Sequence, residues 1–181
     1  MSNAFSFVAG DAGSWEVTRI VEVKGPGLGP ASRLNVLNEL LPAVPAGASW
    51  VLRGFTSNVR YATRAEIARL EAVQPALVRP EAIQAALIPI RKSRAWWELA
   101  QDERRRIFEE TSRHTAIGLE YLPAVARKLH HSRDLGEPFD FLTWFEFAPQ
   151  HSAAFDGLLA RLRATEEWNY VEREVDVRLE R

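Results

Sequence analysis

The chain has no cysteine, and Met1 is its only methionine. These absences exclude disulfides, thiolate metal centres, cysteine nucleophiles and sulfur ligation of a cofactor. A chain without oxidisable sulfur suits a strongly oxidising product, although ordinary drift in composition leaves the same pattern. Charge of one sign is also missing: 23 basic and 24 acidic residues give a net charge of −1. No electrostatic footprint for nucleic acid or anionic lipid follows from that balance, so a charged ligand must be met locally. No apolar run approaches the roughly 20 residues of a membrane helix, and the start lacks a basic region followed by an apolar stretch. The expectation is a soluble, cytoplasmic protein. What is present is ample core material, since 46% of the residues are hydrophobic and six are tryptophan. A domain of this length buries roughly 70% of its unfolded surface without covalent staples.

The first half opens with two strand patterns, around Phe5-Ser6-Phe7-Val8 and over residues 15–23, joined by Gly10-Asp11-Ala12-Gly13 and read as a hairpin. The glycines of Gly25-Pro26-Gly27-Leu28-Gly29-Pro30 lack the spacing and trailing Lys-Ser/Thr of a phosphate loop, so the segment is a connection. A strand is expected over residues 49–56. A helix starts at Thr63 with the box Thr63-Arg64-Ala65-Glu66 and ends near Gln74-Pro75. In the second half a strand over residues 86–92 leads to one long helix over residues 102–119. Pro123 ends it, and alternating residues then predict a hairpin of two strands, 125–131 and 139–147. A helix over 152–164 and a strand over 168–179 complete the chain. Strand, helix, strand, strand, helix, strand describes a ferredoxin-like unit, of which the first half resembles a trimmed copy. The fold expected is α+β, a dimeric α/β-barrel type of two ferredoxin-like halves, residues 1–85 and 86–181, in one domain with its cofactor in the second half. Such a topology hosts many chemistries, so function rests on the site.

Without sulfur ligands, a haem would have to be held by one of four histidines or, less often, by tyrosine. His114 is the candidate. Ile107, Thr111, Gly118 and Tyr121 share its helical stripe, and the small Thr111 and Gly118 leave room for a flat macrocycle. The same spacing describes a half-buried histidine on an amphipathic helix, and His130 and His131 compete. A ligating imidazole needs an acceptor behind it; Glu167 is one, or else an exposed charge in a turn. Arg127 shares a strand face with Val125 and Leu129 and should point at the core, either paired structurally or facing His114 across the break at Pro123. Propionates require cationic or hydroxyl partners, for which Arg60, Tyr61 and Lys92 are available, while Trp96 and Trp97 offer a flat apolar wall or ordinary core.

Several stretches together resemble the chlorite dismutase family. They are Ile88-Pro89-Ile90-Arg91-Lys92-Ser93 with Trp96-Trp97-Glu98, then His114 through Tyr121-Leu122-Pro123 to Arg127. Gly136-Glu137-Pro138-Phe139-Asp140-Phe141-Leu142-Thr143-Trp144-Phe145-Glu146 and Ala164-Thr165-Glu166-Glu167-Trp168 follow, with Ser57-Asn58-Val59-Arg60-Tyr61 in the first half. The brevity of the first half resembles the short-chain branch, whose members are dimers. The resemblance implies one haem b per subunit bound through His114 with Glu167 behind it, and a distal side of Arg127, Gln74, Leu129, Thr143 and Phe145. It implies conversion of chlorite to chloride and dioxygen by O–Cl cleavage and O–O bond formation, in a homodimer. Two alternatives stand beside it: a coproporphyrin decarboxylase-like enzyme of haem biosynthesis, a branch that typically lacks the distal arginine, and a non-catalytic haem-binding or sensing protein.

Overall fold

The structure, a computed structural model, describes residues 3–56 and 63–181. Alternation of apolar and polar residues builds strands β1 (Ala4–Gly10), β2 (Trp15–Lys24), β3 (Arg33–Leu37) and β4 (Ala48–Thr56) in the first half. The second half adds β5 (Gln84–Lys92), β6 (Val125–His131), β7 (Phe141–Phe147) and β8 (Val171–Glu180). Among the described residues these close into one barrel in the order β1-β3-β2-β8-β5-β7-β6-β4, every neighbouring pair antiparallel. The order β4-β1-β3-β2 in the first half recurs as β8-β5-β7-β6 in the second.

Successive strand residues face opposite sides of the barrel wall, which produces two cores. Phe7, Leu52, Leu87, Leu142, Trp144 and Val177 fill the barrel interior. Ile88, Phe145 and Phe147, one residue out of phase, pack outward against Phe155, Leu158 and Leu159. Those last three belong to α5 (Ser152–Arg163). Leu77, partly buried, packs against the barrel-interior core. Beside it Val78, held at φ 64°, donates its N–H to buried Glu146 at 2.6 Å.

Helix α1 (Arg64–Val73) starts as the capping box requires, with Thr63 Oγ1 accepting from Glu66 N, and the short α2 (Arg94–Glu98) follows β5. The 125–131 and 139–147 hairpin forms in the register Arg127↔Phe145 and Leu129↔Thr143. Three expectations are corrected. β1 and β2 do not form a hairpin: β3, for which residues 33–37 carry too short a pattern, pairs with both. The long helix is broken into α3 (Gln101–Arg105), a π-helical turn (Arg106–Thr111) and α4 (His114–Glu120), with Arg113 in the left-handed region at φ 52°. No Gly or Pro marks this break, because buried contacts around His114 hold it. The last strand starts at Val171 rather than at residue 168, after a 3-10 turn (Glu166–Tyr170) that carries Glu167.

Candidate active site

Between the outer sheet face of the second half and helices α4 and α5 lies a partly open cavity. Its walls are mostly apolar, including Ile88, Val125, Leu129, Phe145, Leu158 and Leu159. That is the character of a site for a flat apolar ligand. The period-2 alternation of β6 brings Val125, Arg127, Leu129 and His131 to this one wall, and the i, i+4 spacing of α4 brings His114 and Gly118 to another. His114 and Arg127 thus line the same cavity, the return of the chain after Pro123 having brought them together.

On the α4 side, His114 Nδ1 lies 2.7 Å from Glu167 Oε2. The other oxygen, Oε1, accepts from Lys92 Nζ at 2.6 Å, and the Glu167 N–H donates to Ser112 Oγ at 3.0 Å. Burial by itself would push the Glu167 carboxyl up. The charge of Lys92 and the hydrogen bonds from His114 and Lys92, joined by the charge of His114 when the imidazole is protonated, outweigh it and hold the carboxyl well below the usual carboxylate range. An ionised Glu167 can only accept, so Nδ1 carries the proton and Nε2 keeps the lone pair a metal would take. The imidazole is stacked against Phe108, with ring centres 4.2 Å apart, and more distantly against Trp168 at 6.4 Å. Thr111, expected beside it, is exposed, because the break at Arg113 takes that residue off the stripe. Gly118 remains on it.

Across the cavity, Arg127 is the exceptional side chain. Its Nε is buried without a hydrogen-bond partner among the described residues, and none of the ion pairs found there includes it. Burial lowers its pKa from the usual arginine range, opposed by the charge of Glu109. A guanidinium nevertheless stays charged at any working pH. Leu129, Thr143 and Phe145 share the cavity lining with it as expected.

Other expected residues fall differently. Gln74 does not line the cavity: it is exposed at the end of α1, and its Nε2 donates to the Arg127 carbonyl at 2.8 Å, holding the strand from outside. Lys92 lines the cavity, but its ammonium is engaged by Glu167 and lies 4.6 Å from the Trp96 ring centre. Trp96 is buried in the lining. Trp97 is turned away to a separate surface pocket, where its Nε1 donates to Asp140 Oδ2 at 3.2 Å beneath Arg133. Arg60 and Tyr61 lie outside the described residues. The sequence reading missed Phe108, Thr115 and buried Glu109, which a helical wheel drawn through the break misplaces.

The model of the chlorite dismutase family matches residues 46–179. The chain belongs to this family. A chlorite dismutase of Ideonella dechloratans is 36% identical over 86 residues, 48% of this chain, and the match spans only 28% of that relative's length. Structurally, the chain is similar to a dimeric chlorite dismutase from Nitrobacter winogradskyi, with 55% identity, a TM-score of 0.91 and coverage of 98% of this chain and 99% of that one. It is also similar to the chlorite dismutase from Candidatus Nitrospira defluvii in complex with imidazole, at 27% identity and a TM-score of 0.60, covering 75% of this chain and 56% of that one. The family assignment thus rests on strands and helices of both halves.

Proposed function

We propose that the protein is a homodimeric haem b enzyme, one haem per subunit, that converts chlorite to chloride and dioxygen. The observation that carries this is an apolar cavity with an oriented imidazole, His114 on Glu167, on one side and on the other the half-buried Arg127, whose Nε has no hydrogen-bond partner among the described residues.

The residues fit the cofactor. Gly118 lines the cavity, and a Cβ built there would meet nothing within 4 Å, so the stripe beside His114 is open to a macrocycle. His114 offers Nε2 to the iron, and Trp96, Leu158 and Leu159 offer apolar surface. We assign Arg60 and Tyr61 to the propionates on the sequence reading alone, and read the repeated strand order as two ferredoxin-like halves. Bound haem supplies the redox centre at which the O–Cl bond is broken and the O–O bond made.

The chain's own residues do the rest. Glu167 keeps the His114 proton on Nδ1 and leans charge onto the imidazole. Arg127 holds the chlorite anion and then the hypochlorite-level fragment, whose escape would waste the turnover. Leu129, Thr143 and Phe145 confine that fragment in a largely dry compartment. The similarity to a dimeric chlorite dismutase over nearly the whole chain supports both the reaction and the homodimer.

The test is the visible spectrum of the purified protein followed by an oxygen-electrode trace with chlorite. One dioxygen and one chloride per chlorite is expected. Haem-loaded protein that consumes no chlorite would leave a haem-binding or sensing protein.

A further inference from the structure

His114 is held both at its ring and through its backbone. Glu167 orients the imidazole. The backbone that carries it is the first residue of α4, preceded by Arg113 at φ 52°, a conformation that an L side chain adopts at a cost, and Arg113 provides no side-chain cap. The opening N–H groups of a helix have no partner within it and ordinarily take a Ser, Thr, Asp or Asn side chain at the preceding position.

Here the cap comes from elsewhere. Glu109, in the π-helical turn five residues upstream, is 9% exposed. Its Oε1 accepts from the Thr115 N–H at 3.2 Å and also from Thr115 Oγ1. The Glu109 carbonyl accepts from the Arg113 N–H at 3.1 Å, so the same residue grips both sides of His114. The extra residue in the π turn, where Ser112 N donates to Ile107 O, turns this carboxylate inward. Burying a carboxylate is unfavourable, and burial does push the Glu109 carboxyl up, so its place needs a return. Satisfying Thr115 provides it.

We infer that Glu109 is a positioning residue for His114: by capping α4 from the π turn it fixes the backbone on which the iron ligand is presented. The inference rests on the reading of His114 as the haem ligand. Activity is an ambiguous readout, because the charge of Glu109 also acts on Arg127. Haem retention and the ligand-field spectrum of the ferric protein are not ambiguous in that way.

Two variants of the haem-loaded protein separate reach from charge. Glu109→Gln keeps an oxygen within reach of Thr115 without the charge; Glu109→Asp keeps the charge but is one methylene too short. With an excess of a haem-scavenging protein, Glu109→Asp should lose haem about tenfold faster than wild type, the scale of a lost helix cap, and show a heterogeneous ligand-field spectrum. Glu109→Gln should stay within about twofold. Equal losses in both variants, or none in Glu109→Asp, overturn the inference. Repeating Glu109→Asp in a His114→Gly background supplied with free imidazole completes the test: an untethered ligand no longer depends on α4, so the tenfold effect should vanish. Its persistence there means that Glu109 serves the fold in general, and overturns the inference. A different result condemns the ligand assignment instead, namely His114→Gly holding haem with a wild-type spectrum and no imidazole.

Discussion

At the scale of single residues, the site is governed by which buried charges are matched. Glu167 and Lys92 are each 4% exposed and joined at 2.6 Å, so each is the other's replacement for water. Removing one partner strands the other. Lys92→Met should therefore destabilise the protein by about 3 to 5 kcal/mol in urea unfolding. A loss below about 1 kcal/mol would mean that Glu167 is sufficiently held by His114 alone. Arg127 is the opposite case, a cation with no ion-pair partner among the described residues. Arg127→Ala should fold and keep its haem, because neither His114 nor Glu167 contacts it, but should lose about 10² in chlorite decomposition and release trappable hypochlorite. Arg127→Lys should rescue only partly, since a point charge on a flexible stem does not reproduce the guanidinium fork. Wild-type rate and oxygen yield in Arg127→Ala would make the arginine structural. His114→Ala should lose haem on desalting; retention with an unchanged spectrum would transfer ligation to another residue.

At the scale of elements, two seams of the barrel are short among the described residues, β2 to β3 and β4 to β6, the latter running through Phe55↔His131 and Thr56↔His130. His130 is buried there, its Nδ1 3.0 Å from Thr56 Oγ1 and its ring against Phe5 and Phe7. Burial first, then the charges of Lys128 and His131, lower its pKa from 6.5 to about 3. Between those values the unfolded chain binds a proton that the folded chain refuses, so stability falls as pH drops from 6.5 towards 3. The full penalty is up to about 5 kcal/mol. His130→Gln should flatten this part of the pH dependence of the urea midpoint. Parallel curves for the two proteins between pH 7 and 4 would show that His130 is not the group responsible. The break between the π turn and α4 belongs to the same scale: two short helical segments replace a long one because local propensity is worth less than the buried contacts of His114, Glu109 and Ser112.

For the whole molecule, the two halves are not symmetric in what they cover. Helices α4 and α5 roof the outer face of the second half and create the cavity, whereas β2 leaves Val21 and Val23 exposed. The similarity to a dimeric chlorite dismutase over almost the full chain leads us to expect a homodimer. Light scattering of the haem-loaded protein at micromolar concentration should give twice the 20.5 kDa chain mass. A monomer or a pentamer would separate this chain from the short-chain branch.

By itself the sequence determined the strands that alternate strictly and the capped helix at Thr63, and it singled out His114, Glu167 and Arg127 as candidates for the chemistry. Each of these depends on local periodicity or on residue type, which are readable along one dimension. Only the tertiary structure decided that β3 intervenes between β1 and β2, because strand pairing is a choice among distant partners that a five-residue segment barely signals. It alone placed Lys92 on Glu167 and Trp97 on Asp140, although both lie in one short stretch with Trp96. It alone broke the helix before His114, where a buried carboxylate outweighs the helical preference of the residues around it. Charge satisfaction in the interior is a property of what surrounds a group, and no spacing along the chain records it.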